Sequence, residues 1–543
     1  MPDPVNLTAD QHRTRRLPTA AIVVALLIAI MHLFPVWRAQ IVTPDNWEFT
    51  GNLSRHSPDA MQYRAWFRQT QETGVLGENR FTTEANPPHL PLVFFYAVGK
   101  IANLLGVSPE LVYAYAGALI AFVLTLLVFL VVRNFFTSTV QTWWVFLAAL
   151  LGGGLGAYYK FIQGSETLTN LPGVWRVFVA PLQGIAVWED YRGNYAIQAL
   201  MDPHSGLQWM MVLSTVMVLY LAMVKPNATR LIVLAIMGSA TTVVHMYAGI
   251  TLLAIGGGIW LVNYLTGVAR RDTTTSVLAL YAGTVLTLGG LLVVYRNGGL
   301  PLPNWRAINV LFSILFIAYP LAWCLLAWGL PRYVRELDLD RSFILGWIAG
   351  CTALLLSGPF YAYPDRGSVT LQIPLTIVAG LVYFNRFPKV TPLAGLIAII
   401  LLGATPLHNT SIRWAISDFR SDSPTKFLDA DHREILAELS ERASRRDILL
   451  SRYPETLWLA PTYPGVHYAG HFFLTVDFAT KIDKVDRFYA GTLEEPVKFL
   501  HEAGIRYVWV SAAQDPARFS SITGLLPRMS NTAGTLFEFR GTP

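Results

Sequence analysis

The chain has 543 residues, of which 53% are hydrophobic and only 14% charged, whereas soluble globular domains average about 25% charged residues. The formal net charge of +6 comes from basic residues scattered between apolar runs, which argues against a nucleic-acid partner. Cys324 and Cys351 lie inside apolar runs and indicate no disulfide framework. The composition therefore excludes an ordinary soluble protein and predicts a multi-pass protein of the cell membrane.

Apolar runs of about 17–22 residues, long enough to cross roughly 30 Å of hydrocarbon as helices, recur along the chain. The first run follows Arg13, Arg15 and Arg16 and has no small-x-small cleavage site after it, so we expect an uncleaved anchor. The pattern predicts an all-α polytopic bundle within 18–406, with about 11 spans. The predicted spans are 18–37, 111–132, 142–160, 207–224, 231–247, 248–266, 276–295, 309–330, 342–359, 368–384 and 391–406.

Every second connection between these spans is basic, which places those connections and the N-terminal segment 1–17 in the cytoplasm. The apolar segment 91–106 would reverse this pattern if it crossed the membrane. We therefore predict that it is an interfacial or re-entrant helix. The first long loop, 39–110, and the tail, 407–543, are then both extracytoplasmic. The basic residues in question are Arg133, Lys225, Arg230, Arg270, Arg271, Arg332, Arg335, Arg386 and Lys389.

The first external loop contains a strong helix signal. Ser57 and Pro58 form a good N-cap and N1 pair, and Asp59 falls in the first turn. Apolar and aromatic residues follow at helical spacing, which predicts an amphipathic helix able to lie on the outer leaflet. The residues of this stripe are Tyr63, Trp66, Phe67 and Thr70.

The acidic residues of this loop are candidates for a general base. A carboxylate at the membrane surface can accept the proton of an acceptor hydroxyl, and Asp59 is the first candidate, with Asp45 as its rival. An Asp in a first helical turn also complements the helix dipole without any catalytic role, and an acid just beyond a span is commonly a solvated flank. Tyr63, Glu84 and His89, in the same loop, are candidate substrate-binding residues.

Histidines and an aspartate lie at the predicted outer ends of two later spans. Asp202 and His204 precede the span 207–224, and His245 lies near the outer end of another span. At one membrane depth they could hold a phosphate or a divalent cation, Mg²⁺ or Mn²⁺, with Asp202 and His204 as the candidate metal ligands. Their spacing is not a metal signature, and interfacial hydrogen bonding is the alternative role.

Two arginines lie at predicted outer tips, against the positive-inside trend. Arg296 follows one span and Arg366 lies between two others, and guanidinium groups suit bidentate phosphate contacts. Pairing of Arg366 with the adjacent Asp365, or snorkelling to lipid headgroups, is the alternative.

The tail has the composition of a small soluble α/β domain. We expect strands at 448–450, 506–511 and 535–540, and helices at 431–445 and 494–503. His467 and His471 are four residues apart among glycines, which indicates a loop rather than a helical metal site.

The order of these parts resembles the GT-C class of membrane glycosyltransferases. Members of that class have a first span, an external loop with an acidic residue and interfacial helices, a many-span bundle and, in many cases, an external C-terminal domain. The run from Asp59 to Tyr63 with Gly74 and Asn79 is similar to the class's first-loop pattern, and 86–91 resembles its proline-rich entry to the next helix. The tail around 470–477, continuing through Lys481, looks like that of prokaryotic members.

The resemblance implies an inverting transfer of a sugar from a polyprenyl-phosphate carrier to a glycan, lipid or protein acceptor outside the cytoplasm. It implies that a first-loop carboxylate is the base, and Asp59 matches that position best. Many members carry a doubled acidic pair, whereas Asp59 is followed here by Ala60. Arg296 and Arg366 would be the counter-charges for the lipid phosphate.

Two other classes of function remain open from the sequence. A lipid or solute transporter, or a flippase, would place ionisable residues at mid-membrane depth and repeat its span pattern, and the sequence shows few charges within spans and no such symmetry. A non-catalytic envelope assembly protein would use the tail as a binding module.

Overall fold

The structure, a computed structural model, describes residues 17–52, 57–74, 78–84, 93–152, 202–295, 320–357, 369–387 and 414–541, apart from 454 and 473. In the membrane module the described helices are α1 (Thr19–Val42), α2 (Ser57–Thr73), α3 (Val93–Leu105), α4 (Pro109–Asn134), α5 (Thr139–Leu151), α6 (Pro203–Val224), α7 (Ala228–Val244), α8 (Met246–Thr266), α9 (Arg270–Tyr295), α10 (Pro320–Arg335), α11 (Leu339–Leu356) and α12 (Gln372–Arg386).

Six helices within the described ranges are long and apolar enough to cross a membrane: α1, α4, α6, α8, α9 and α11. Each overlaps a predicted span over most of its length, and the boundary between α7 and α8 falls at His245, within two residues of the boundary predicted between 247 and 248. The multi-pass class is thus confirmed, but the predicted number of spans is not. The predicted span 391–406 and the first half of 309–330 lie outside the described residues.

The basic connections meet at one end of the bundle. Phe135, just after α4, packs its ring 5.6 Å from that of Tyr220 near the end of α6. The Tyr220 hydroxyl donates to Asp340 at the start of α11, 2.7 Å away. Phe136 lies 6.4 Å from Phe384 near the end of α12. We call this end, which carries Arg133, Lys225 and Arg386, the basic end.

Close helix packing in the bundle depends on small residues. Gly258 of α8 faces Gly346 and Gly350 of α11, and a Cβ atom added to Gly258 would lie 2.3 Å from the Gly346 carbonyl oxygen. Glycines at such a contact let two backbones approach closely, which is how helices gain packing energy in a bilayer. The largest apolar core within the described residues lies among these helices and includes Trp209, Phe343 and Trp347.

The first loop leaves and re-enters the bundle at the end opposite the basic end. Gly51, shortly after α1, lies against Glu110 in the first turn of α4, so closely that an added Cβ would be 2.5 Å from the Glu110 Cβ. Between these points, α3 has 13 residues and would extend only about 20 Å, less than the roughly 30 Å of the hydrocarbon core. The segment predicted not to cross thus contains a short helix, and the chain before it at Gly51 and after it at Glu110 meets at one end of the bundle.

The environment of α2 differs from the prediction. The Tyr63–Trp66–Phe67 stripe packs against Phe95 of α3 and Tyr113 of α4 instead of lying on lipid. An apolar stripe at helical spacing fits a protein surface and a membrane surface equally well, so the pattern alone could not choose between them.

The tail is an α/β domain. Its described elements are β2 (Phe427–Leu428), α13 (Ala430–Arg442), β3 (Ile448–Leu450), α14 (Thr456–Leu459), β4 (Val466–His467), α15 (Phe478–Ala490), α16 (Pro496–Glu502), β5 (Ile505–Ser511), α17 (Pro516–Ser520), β6 (Leu525–Ser530) and β7 (Gly534–Phe539). All five predicted tail elements are present, with boundaries shifted by three residues at most.

Five tail strands form one sheet in the order β4-β3-β5-β7-β6. Strand β3 is parallel to β4 and β5, whereas β7 is antiparallel to β5 and β6. Alternate residues of β5 enter different cores: Val508 and Val510 pack with α15, and Tyr507 and Trp509 pack with α13. The sheet is thus covered by helices on both faces.

The tail domain contacts the bundle at the end opposite the basic end. A short strand β1 (Glu48–Phe49), just after α1, pairs antiparallel with β2 of the tail. Arg38 in α1 forms an ion pair with Asp418, and the Phe34 ring lies 5.1 Å from that of Trp414. We call this the tail end of the bundle.

Candidate active site at the tail end

Asp59 stands in the first turn of α2, at the junction with the tail domain. Its carboxylate is 47% exposed, and its Oδ1 lies 3.9 Å from Nε2 of His471 in the tail. Tyr453 of the tail lies near the same carboxylate, and burial together with the Asp59 charge raises the pKa of Tyr453. The first candidate base is therefore an accessible carboxylate at the boundary between the two parts of the protein.

An aromatic row leads from Asp59 into the bundle. Tyr63, one turn further along α2, stacks on Phe95 at 4.6 Å and lies 5.9 Å from the ring of His204. The His204 ring is in turn 5.0 Å from that of His245, at the junction of α7 and α8. The structure thus brings Tyr63, His204 and His245 together, in a row that begins one helical turn from Asp59.

Asp202 caps the N-terminus of α6. Its carboxylate accepts hydrogen bonds from the backbone N–H groups of His204 and Ser205, which makes it the N-cap. It also accepts a hydrogen bond from the Tyr113 hydroxyl at 3.0 Å. Among the described residues, no group of three or more His, Cys, Asp or Glu side chains is arranged to hold a metal ion.

Glu84 is held by the tail domain. The Lys481 Nζ lies 2.7 Å from Glu84 Oε1 and also donates a hydrogen bond to the Thr83 hydroxyl at 2.9 Å. Burial would raise the pKa of Glu84, but hydrogen bonds from Lys481 and Thr82 outweigh it and lower that pKa below its ordinary value. Glu84 is therefore ionised at neutral pH, and its contacts join the first loop to the tail.

The rival base, Asp45, lies elsewhere. It is exposed, in the turn between α1 and β1. Arg433 of the tail donates to the carbonyl of the adjacent Asn46 at 3.0 Å. Within the part of the chain that the structure describes, no hydrogen bond or ion pair joins Asp45 to Asp59 or His471. The other candidates, His89, Arg296 and Arg366, lie outside the described residues.

A buried ion cluster fixes α2 against α4. Glu110 Oε1 accepts from Arg64 Nε at 3.2 Å and from Arg68 Nε at 2.7 Å. Arg64 and Glu110 are almost completely buried, with side chains 7% and 8% exposed. Burial, opposed by the Glu110 charge, lowers the pKa of Arg64 to about 10, so the guanidinium stays charged at neutral pH. This cluster sets the orientation of the helix that presents Asp59.

The sequence did not point to Tyr453. It drew attention to His471 and Lys481 only as parts of a loop and of a tail that resembles prokaryotic GT-C members, and gave neither residue a role at the site. Its one available signal was the His467–His471 pair beside Gly470. Gly470 is needed because a Cβ atom there would lie 2.9 Å from the Phe81 Cα. That contact joins distant parts of the chain, so only the tertiary structure reveals it.

Comparison with known proteins gives the fold. No family model and no curated protein matches the sequence. The structure is similar to the apo crystal structure of ArnT from Cupriavidus metallidurans, with a TM-score of 0.53 and 11% identity over 96% of this chain and 97% of that one. It is also similar to ArnT bound to undecaprenyl phosphate, with a TM-score of 0.50, 12% identity and the same coverage of both chains. The chain therefore has the fold of ArnT, a GT-C glycosyltransferase, along nearly its whole length.

Proposed function

We propose that this protein is a membrane glycosyltransferase that moves a sugar from a polyprenyl-phosphate carrier to an acceptor outside the cytoplasm. The observation that carries the proposal is the position of Asp59, a half-exposed carboxylate on a helix that is otherwise largely buried. The chain has a fold similar to that of ArnT, and ArnT has been crystallised with undecaprenyl phosphate. A polar group kept accessible at such a junction is suited to contact a substrate.

In the proposed reaction, Asp59 is the general base. It removes the proton from an acceptor hydroxyl as that oxygen attacks the anomeric carbon of the donor sugar. The bond from the anomeric carbon to the phosphate oxygen breaks, and the polyprenyl phosphate leaves with the electron pair. Attack from the face opposite the phosphate inverts the anomeric configuration.

Further residues have proposed binding roles in this scheme. Tyr63, His204 and His245 form one wall of the donor site, and Arg296 and Arg366 neutralise the lipid phosphate. We also assign a substrate-binding role to Glu84 and His89, which belong to the same loop as Tyr63. Adding a chelator to the assay tests whether Mg²⁺ or Mn²⁺ takes part, with Asp202 and His204 as the candidate ligands.

The proposal is tested by comparing Asp59→Asn with Asp45→Asn in the full chain. The assay follows transfer of radiolabelled hexose or pentose from undecaprenyl phosphate to an envelope extract. We expect Asp59→Asn to lower the rate by about 10²- to 10⁴-fold, the usual contribution of a general base, and Asp45→Asn to leave it nearly unchanged. Asp59→Asn should still bind undecaprenyl phosphate.

Three results would count against the scheme. Full activity of Asp59→Asn with loss in Asp45→Asn would make Asp45 the base, and full activity of both variants would remove the carboxylate mechanism. Movement of the labelled carrier across the bilayer without sugar transfer would favour the transporter instead.

A further inference from the structure

The tail domain interlocks with the first loop beside Asp59. Phe81 of the loop accepts a hydrogen bond on its carbonyl from the Gly470 N–H at 3.1 Å and another from the Thr475 hydroxyl at 2.6 Å. Asn79 donates to the Leu474 carbonyl at 2.8 Å. The chain around 470–475 is therefore fixed against the loop that follows α2, and does not merely lie near it.

His471 is the residue of this segment that faces Asp59. Its backbone N–H donates to the Thr475 hydroxyl at 3.0 Å. Its ring lies 5.7 Å from the ring of Phe81 in an edge-on arrangement and 4.9 Å from Phe472 in a stacked one. The His471 side chain has no exposed surface, whereas the Asp59 carboxylate next to it is about half exposed. A rigid, buried imidazole thus adjoins an accessible carboxylate.

The charge state of this pair limits what His471 can do. Burial lowers the pKa of His471 to about 4, so the imidazole is neutral at pH 7 and can present one ring N–H as a donor. The recorded separation of 3.9 Å between Nε2 and Oδ1 exceeds a hydrogen bond by about 1 Å. Contacts of this kind are commonly long in the free enzyme and shorten when the substrate is bound.

We propose that His471 is a positioning residue for Asp59, and that the tail domain thereby completes the active site. This inference rests on the proposed function. As the site closes, the His471 Nε2–H donates to Asp59 Oδ1 and holds the carboxylate in one rotamer. The other oxygen, Oδ2, then faces the acceptor hydroxyl and takes its proton. No proton passes to His471, which stays neutral throughout.

The test uses three substitutions of His471 in the full chain, assayed for sugar transfer from undecaprenyl-phosphate sugar. His471→Leu removes the donor at similar volume, His471→Gln puts an amide N–H near the Nε2 position, and His471→Asn carries an amide that cannot reach it. We expect Leu and Asn to lower kcat by about 10- to 100-fold with KM changed less than about twofold, as small misplacements of a reacting group do. Gln should restore most of kcat.

His467→Leu is the matched control, because it makes the same substitution four residues away in the same buried segment. In the wild type the His467 ring lies 6.5 Å from the Phe81 ring, and within the described residues no contact joins His467 to Asp59. We expect kcat near that of the wild type. Where His471→Leu lowers the thermal midpoint, the comparison of Gln with Asn, two polar side chains of similar size, decides the question.

The outcomes separate this inference from the proposed function. Wild-type kcat in His471→Leu, with Asp59→Asn inactive, overturns the role of His471 and leaves Asp59 as the base. Equal loss in the Gln and Asn variants means that His471 acts only through packing and also overturns it. Full activity in Asp59→Asn removes the base itself, and the positioning role with it.

Discussion

Two tail histidines show how burial sets the chemistry of single residues. Burial and the Arg80 charge lower the pKa of His467 to about 3, and His471 is lowered to about 4, so both are neutral at pH 7. Among the described residues, neither ring nitrogen of His467 has a hydrogen-bond partner. The sequence identified the pair as a loop feature, but it could not show burial, which depends on the first loop packing over it.

These lowered pKa values predict that the tail domain loses stability in mild acid. Each histidine has a pKa near 6.5 when unfolded, so below that pH the unfolded chain binds protons that the folded domain does not. Between pH 6.5 and about 5 we expect a loss of about 1.4 kcal/mol per pH unit for each histidine. This loss of stability can be measured as the fall in hydrogen-exchange protection of the β5 amides over that pH range, after correction for intrinsic exchange rates.

His467→Leu is the control for this pH dependence. The substitution should halve the change of the tail domain's stability per pH unit, because one of the two titrating histidines is gone. At pH 7 the variant should be at least as stable as the wild type, since an unsatisfied buried polar group costs about 1–3 kcal/mol. A slope that stays the same in His467→Leu would contradict the assignment.

At the scale of elements, local patterns located several tail elements but not all of them. Strand β3 was predicted at its observed bounds, and β7 within one residue. Helix α15 was missed, although Phe478, Ile482, Val485 and Tyr489 show helical spacing and form its apolar face. Helix α2 was found, but its surroundings were not, because partners such as Glu110 come from another part of the chain.

The ion cluster between α2 and α4 predicts a large effect of Glu110→Gln. The change would leave Arg64 as a buried charge, and Arg68 as a partly buried one, without their carboxylate. Breaking a buried pair in this way costs about 3–5 kcal/mol. The thermal unfolding midpoint in detergent should fall markedly. Sugar transfer should fall as well, because α2 would no longer be held in the orientation that presents Asp59.

A more exposed acid, on α2, provides the control. Glu72 is 45% exposed and pairs with Arg80 at 3.5 Å, so Glu72→Gln should change stability by about 1 kcal/mol or less. Similar midpoints for the two variants would show that the Glu110 cluster does not hold α2 in place.

At the scale of the whole molecule, the distribution of basic residues and the contacts of the tail both place the first loop and the tail at the same end of the bundle. The alternation of basic connections predicted that loop 39–110 and the tail share one side of the membrane. In the structure, β1 of that loop pairs with β2 of the tail, at the end opposite Arg133, Lys225 and Arg386. The sequence could not supply the contacts themselves, because the paired residues Phe49 and Phe427 lie 378 residues apart in the chain.

The organisation predicts which surfaces can be labelled from outside the cell. In a background where Cys324 and Cys351 are replaced by Ala, we would place single cysteines at two exposed sites, Glu502 in the tail and Arg271 at the start of α9. A membrane-impermeant maleimide should label Glu502→Cys on intact cells, and Arg271→Cys only after permeabilisation, because basic connections stay in the cytoplasm. The reverse pattern would place Asp59 in the cytoplasm and exclude an acceptor outside it. Labelling of both sites on intact cells would break the alternation, because it would require an even number of crossings between Arg271 and the tail.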